Sequence, residues 1–211
     1  MKKSLYPVVL LCALLIQTGC FSIGSSRKSP MPRYALLAER PVPQVMVREH
    51  SPTNVLFVIG RIKSSRATEG NTIPLLDSDS GRYGTYDKAA LAFPVDVIVD
   101  SATRNWLARS DKFGTVVDAS IAPRSKHRKI LECWIEQFGL ERDHGKWTSK
   151  IDLRYILQYP DGNFREIPVN VSTDVDTPVR NREPETADVL RALRIGLENG
   201  LEKLENELEK D

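Results

Sequence analysis

Three histidines, three cysteines and an aromatic share of 7% are a thin supply of reactive groups for 211 residues. His50, His127 and His144 stand apart in loop or turn contexts, and none belongs to an H-E-x-x-H or Cys–His ligand set, so the spacing offers no metal centre. There is no G-x-S-x-G elbow, no phosphate-cradling glycine loop and no cysteine with a base at hand, which removes common signatures of nucleophilic catalysis and nucleotide binding. The residues read as those of a protein that is not an enzyme and holds no cofactor. Excess charge is missing too. Without residues 1–19, the 30 basic residues lose Lys2 and Lys3 and match the 28 acids, so the body has no net charge with which to hold nucleic acid. A membrane-spanning run is also lacking, since Leu5–Ile16 is about a dozen residues where roughly 20 are needed.

What is present begins with that same run. Lys2-Lys3, the apolar stretch and Gln17-Thr18-Gly19-Cys20 make a charged start, a short greasy middle and small residues before a cleavage point. This is the layout of a secretory signal peptide over residues 1–19. Its Gly-Cys ending resembles the bacterial lipoprotein lipobox, in which the cysteine is lipidated and becomes the first mature residue. Gln17 stands where lipoboxes usually carry Leu, Val or Ile. The expected modification is therefore lipidation at Cys20, a thiol being a good nucleophile for a thioether-linked lipid. Cys12 leaves with the signal and Cys20 carries lipid, so Cys133 is left with no disulfide partner. Its place beside Trp134 and Ile135 in a strand pattern predicts a buried small apolar residue.

Residues 20–33 are rich in Ser, Gly, Pro, Arg and Lys and read as a flexible tether, with a root-mean-square reach of about 20 Å and an extended reach of about 40 Å. Residues 34–211 read as a single α/β domain. Tyr34–Ala38 and Gln44–Arg48 are short strand candidates, and Val55–Ile59 is an apolar run of the kind buried on both faces. Ile73–Leu76, the turn Asp77–Gly81 and Arg82–Tyr86 read as a hairpin. Asp77 and Asp79 invite a calcium loop but fail its template, because Gly81 is misplaced and the final glutamate is missing.

Phe93-Pro94 opens a helix whose apolar face is Val95, Ile98, Val99, Ala102 and Trp106, followed by a short strand at Thr115–Asp118. That order suggests a crossover unit with parallel pairing. Ala122–Lys129 is a basic cluster without interleaved aromatics, read as a solvated loop. Three strands with strict period two follow, around Leu131–Ile135, Ile151–Leu157 and Ile167–Val171, and they predict an antiparallel meander. Pro168 marks its last strand as an edge or as carrying a bulge there. Glu183–Glu209 is an amphipathic helix with a stripe of Leu190, Leu193, Leu197, Leu201, Leu204 and Leu208. Gly196 and Gly200 are placed for close approach to the sheet.

The order of parts resembles a known family. A lipobox, Tyr34-Ala35-Leu36-Leu37 after the tether, an apolar strand and a hairpin ending at Tyr86 come first. Phe93-Pro94, Phe113–Val117, the strand pair with Trp134, Phe138 and Leu140, and a terminal leucine helix complete the order. Together they are similar to the auxiliary lipoprotein family of ABC-type intermembrane transport systems, the PqiC-like lipoproteins. Phe93 departs from the tryptophan expected before the proline. The resemblance implies an α/β sandwich like the amino-terminal domain of TolB, with a mixed sheet of about five to six strands and two main helices. It implies an outer-membrane lipoprotein facing the periplasm, since Phe21 is not the aspartate that retains lipoproteins in the inner membrane. Such a protein would be an accessory of a lipid-trafficking machine containing an MCE-domain protein, a permease and an ATPase, and could assemble as a ring. A lipoprotein activator of a peptidoglycan synthase would share the anchor and the fold, and stands as the alternative.

Overall fold

The computed structural model describes residues 31–40, 56–64, 70–110, 112–113, 115–120, 128–177 and 182–210. The expected signal peptide, Cys20, most of the tether, the Gln44–Arg48 strand, His50, His127 and most of the basic cluster lie outside the described residues. In chain order the elements are β1 (Arg33–Tyr34), β2 (Leu56–Ser64), β3 (Thr72–Asp77), β4 (Arg82–Leu91), α1 (Val95–Ser110), β5 (Thr115–Asp118), β6 (Arg128–Asp143), β7 (Lys146–Gln158), β8 (Phe164–Asp174) and α2 (Thr186–Leu208).

The meander is the frame. β6 and β7 are joined at Asp143–Lys146, with His144 at φ 48° and Gly145 at φ 73°. Two successive positive φ values give the turn whose twist matches a tight hairpin. Cross-strand rows such as Cys133–Tyr155–Ile167 and Ile135–Leu153–Val169 point into the core. A register skip between Ile135 and Gln137 leaves Glu136 as an extra residue. That bulge shifts the inward phase, so Phe138 and Leu140 continue the core after Leu131, Cys133 and Ile135. Among the described residues β8 pairs only with β7, so Pro168 sits on an edge strand there.

The other edge of β6 is shared. Its first half takes β2 in parallel, and its last residues take β3 in parallel, from Leu75 opposite Leu140 to Asp77 opposite Arg142. β5 flanks β2, β4 flanks β3, and β1 lies beside β4. The sheet is therefore forked and, among the described residues, has eight strands rather than about five to six. The shortest members are β1 and β5, with two and four residues, the second at the expected Thr115–Asp118. The Tyr34–Ala38 candidate is a strand only at Tyr34, because Leu36 turns into the core under the helices. The parallel partner of β5 is β2, not the strand just before the helix, since the β3–β4 hairpin intervenes.

Both helices cover one face. α1 buries Val95, Ile98, Val99, Ala102, Trp106 and Leu107, as the spacing predicts. α2 buries Leu193, Leu197, Leu201 and Leu204 completely, each contributing about 1.5–3 kcal/mol, while Leu190 is half-buried. A Cβ on Gly196 would lie 3.1 Å from Ile151 Cδ1 and 3.2 Å from Ser149 Oγ, so the helix rests almost on the strands there. No helix among the described residues is long and apolar enough to cross a membrane.

Candidate functional site

Cys20 lies outside the described residues, so the described structure contributes surfaces rather than that site. The first surface is the sheet face away from the helices. Because Cys133 and Ile135 point inward, Trp134 points outward. It heads a cross-strand row of Lys63, Trp134, Arg154 and Pro168 on four neighbouring strands. Lys63 Nζ lies 4.3 Å from the indole centroid, and Trp134 remains 38% exposed. Arg154 is held by Glu136 at 2.9 Å and by Glu166 at 3.9 Å. Nearby, Lys150 pairs with Glu141 at 3.0 Å, and burial raises the Asp152 carboxyl above its ordinary range. Trp134 is thus an exposed aromatic set among charged side chains on an otherwise polar face.

The second place lies on the helix side. Residues 36–40 cross α1 toward α2 as a strap. Leu36 is buried, Glu39 N donates to Glu198 Oε1 at 3.1 Å, and Arg40 reaches Glu205. Glu205 is 4% exposed and accepts from Trp106 Nε1 at 2.7 Å, Arg40 Nη2 at 2.7 Å and Lys112 Nζ at 3.1 Å. A cavity of about 330 Å³ opens beside it, with Asn199, Glu202 and Asn206 on its wall. Three donors on one carboxylate make a latch that ties the strap to both helices. Sequence reasoning missed it, although the signal was there: Glu205 falls inside the leucine stripe, four residues after Leu201. The acids at the end of α2, unfavourable toward the helix dipole, are partnered from other elements, Arg165 taking Glu207 and Lys112 taking Glu209.

Between strap and α1 lies a groove of about 200 Å³ lined by Leu37, Phe93 and Val97, with Ile98 and Ala102 among its buried residues.

Asp77 and Asp79 take different partners in the structure. Ser80 Oγ and Arg142 hold Asp77 at 2.8 and 2.6 Å and keep its carboxyl below the usual range, the serine hydrogen bond being the larger cause. Asp79 instead accepts from His144 N at 3.1 Å and meets His144 Nδ1 at 2.9 Å. Asp79, Asp143 and His144 are exposed and are held by these turn contacts.

Cys133 sits as expected, 1% exposed, with its thiol pushed up to about 12 by burial. Tyr155, wholly buried beside it, shares a hydrogen bond of 3.0 Å with Thr103. With Cys20 acylated, Ellman's reagent at pH 8 is expected to find no reactive thiol in the native protein and one after urea unfolding. Rapid labelling of the native protein would contradict the packing of β6.

No family model matches the sequence, and no curated protein matches it. Among solved structures, a Xanthomonas campestris protein of the DUF330 family aligns with TM-score 0.62 and 16% identity, over 81% of this chain and 91% of that one. An uncharacterised protein aligns with TM-score 0.57 and 16% identity, over 76% and 96%. A lipoprotein from Neisseria meningitidis aligns loosely, with TM-score 0.36 and 8% identity over 74% and 99%. What this chain has in common with the first two is the fold: a mixed sheet with two helices on one face, the architecture of a DUF330 protein.

Proposed function

We propose that this chain is a lipoprotein anchored through Cys20 in the outer membrane, facing the periplasm, and that it is a non-catalytic docking component of an MCE-type intermembrane lipid transport system. The observation that carries the docking role is the Lys63–Trp134–Arg154 row, an exposed aromatic between two cations, the second of them held by Glu136 and Glu166. Tryptophan and arginine at the centre of such a patch are the residues on which protein interfaces depend most. The anchor is supported by the Lys2–Cys20 targeting segment, and the partner class by the order of parts that resembles the auxiliary lipoproteins. Several acyl chains on Cys20, at about 0.8 kcal/mol per buried CH₂, would hold the protein in one leaflet permanently.

The test is affinity capture of the lipidated protein from membranes, with co-purifying chains identified by mass spectrometry. An MCE-domain protein with its permease and ATPase is expected, and Trp134→Ala should lose at least tenfold of the recovery, the equivalent of about 1.4 kcal/mol. Capture of a cell-wall synthase without an MCE protein would replace this reading with the activator. Cys20→Ser is expected to move the protein from the membrane fraction to the soluble periplasm.

A further inference from the structure

Eight large apolar side chains are exposed among the described residues, and five of them fall in two stretches, residues 31–37 and 93–97. Met31, Tyr34 and Leu37 belong to the first described segment, and Phe93 and Val97 to the start of α1 beside it. Leu37, Phe93 and Val97 are 65%, 55% and 49% exposed and line one groove. No charged side chain lines that groove; its polar members are Ser101 and Asn105. The contrast with Trp134 is plain, since Lys63 lies over its ring and Arg154 is opposite it on β7. Patches of bare aliphatic and aromatic groups on a soluble body mark a surface that meets protein or lipid.

The chain itself indicates which. The segment that carries the patch is also the one that leads to Cys20, and Met31 is eleven residues from that cysteine. Eleven residues cannot span more than about 40 Å, whatever their path. An acyl group on Cys20 therefore keeps Met31, six residues before Leu37, within that distance of the bilayer surface at all times. A tethered surface acts at millimolar effective concentration, so contacts too weak to hold a free protein are enough. Arg33 is exposed on β1, and the linking sequence adds Arg27 and Lys28, cations suited to anionic headgroups.

Resting on the lipid anchor proposed above, we propose that the strap–α1 groove is a membrane-docking surface. Leu37, Phe93 and Val97 enter the headgroup–acyl boundary of the leaflet that holds Cys20, and so fix the orientation of the body. The Trp134 row, on the opposite side of the sheet, is then left open to the periplasm.

The mature lipidated protein permits a direct test. Cys133 is buried and Cys20 acylated, so a cysteine introduced by Val97→Cys or Leu37→Cys takes an NBD probe alone. Phe164→Cys, at a site 68% exposed on the edge strand, is the comparison. Proteoliposomes of phosphatidylethanolamine and phosphatidylglycerol, with lipids brominated near the headgroup, report depth. Quenching at positions 37 and 97 is expected to exceed that at 164 several-fold, with blue-shifted emission, and to persist at one protein per vesicle. Equal quenching at the three positions in protein of confirmed acylated mass would overturn the membrane contact and leave the anchor standing. A blue shift that disappears on dilution to one copy per vesicle would assign the groove to a second copy and also overturn it. A chain carrying no acyl mass would remove the anchor reading itself, and this inference with it.

Discussion

Gly139→Ala is expected to destabilise the protein by about 3 kcal/mol or more, at the upper end of what overpacking a core costs. The added methyl would be driven into the carbonyl oxygen of Pro74, closer than non-bonded atoms come, with Pro74 C and Cβ each 3.1 Å away. The obstacle is backbone, not a side chain that can rotate aside. It lies where β3 joins β6, immediately before the Leu75–Leu140 pairing. Relief requires β3 to withdraw, which would also strain its hairpin with β4. For a domain of this size the melting temperature should fall by roughly 6–12 °C. Gly84→Ala is the control. Nothing lies within 4 Å of its Cβ position, so a change within about 0.5 kcal/mol is expected. Thermal melts followed by circular dichroism decide it, and equal melting of the two variants would refute the account of the fork.

The second large effect is expected at Glu205. Replacing it with alanine takes the carboxylate from the Arg40 guanidinium, whose side chain is 13% exposed and keeps the Arg109 carbonyl, and leaves the Trp106 N–H without its acceptor. Breaking one partner of a buried ion pair costs about 3–5 kcal/mol because the remaining charge loses both its partner and its water. The adjoining cavity of about 330 Å³ gives water a way to the stranded groups, which places the expectation near the lower figure. Glu205→Gln keeps an acceptor for Trp106 and should cost about half as much, or about 1.5 kcal/mol. Urea unfolding measures the stability of both. Hydrogen exchange separates latch from bulk packing, because residues 36–40 should lose protection in Glu205→Gln at urea concentrations where the meander keeps its own. Uniform loss across the domain would mean that the strap is not held separately.

These two positions also show what sequence can and cannot disclose. The meander was legible because Ile151, Leu153, Tyr155 and Leu157 keep period two without interruption. The inward face of α1 and the leucine stripe were legible for the same reason at period 3.6, and Pro168 marked its edge by its missing N–H. The Glu136 bulge was not legible, since one extra residue merely looks like a lapse in alternation. Gly139 and Gly84 are alike in sequence and differ only in what another strand places above them. The fork depends on pairings between distant residues, Leu56 with Arg128 and Leu75 with Leu140, and no local pattern encodes a partner. Glu205 was readable in part: a charge inside an apolar stripe demands partners, but Arg40, Trp106 and Lys112 are supplied by three separate stretches.

The shared edge of β6 has a consequence for the order in which the protein can be made. β2 and β3 leave the ribosome early, yet the strand on which both must pair is synthesised long after them. Until then the β3–β4 hairpin is the main local pairing available to the amino-terminal half. β6, β7 and β8 are consecutive, so they assemble quickly through short connections once they emerge. The earlier strands then dock on a finished template. The amino-terminal strands therefore cannot complete their sheet until β6 has been made.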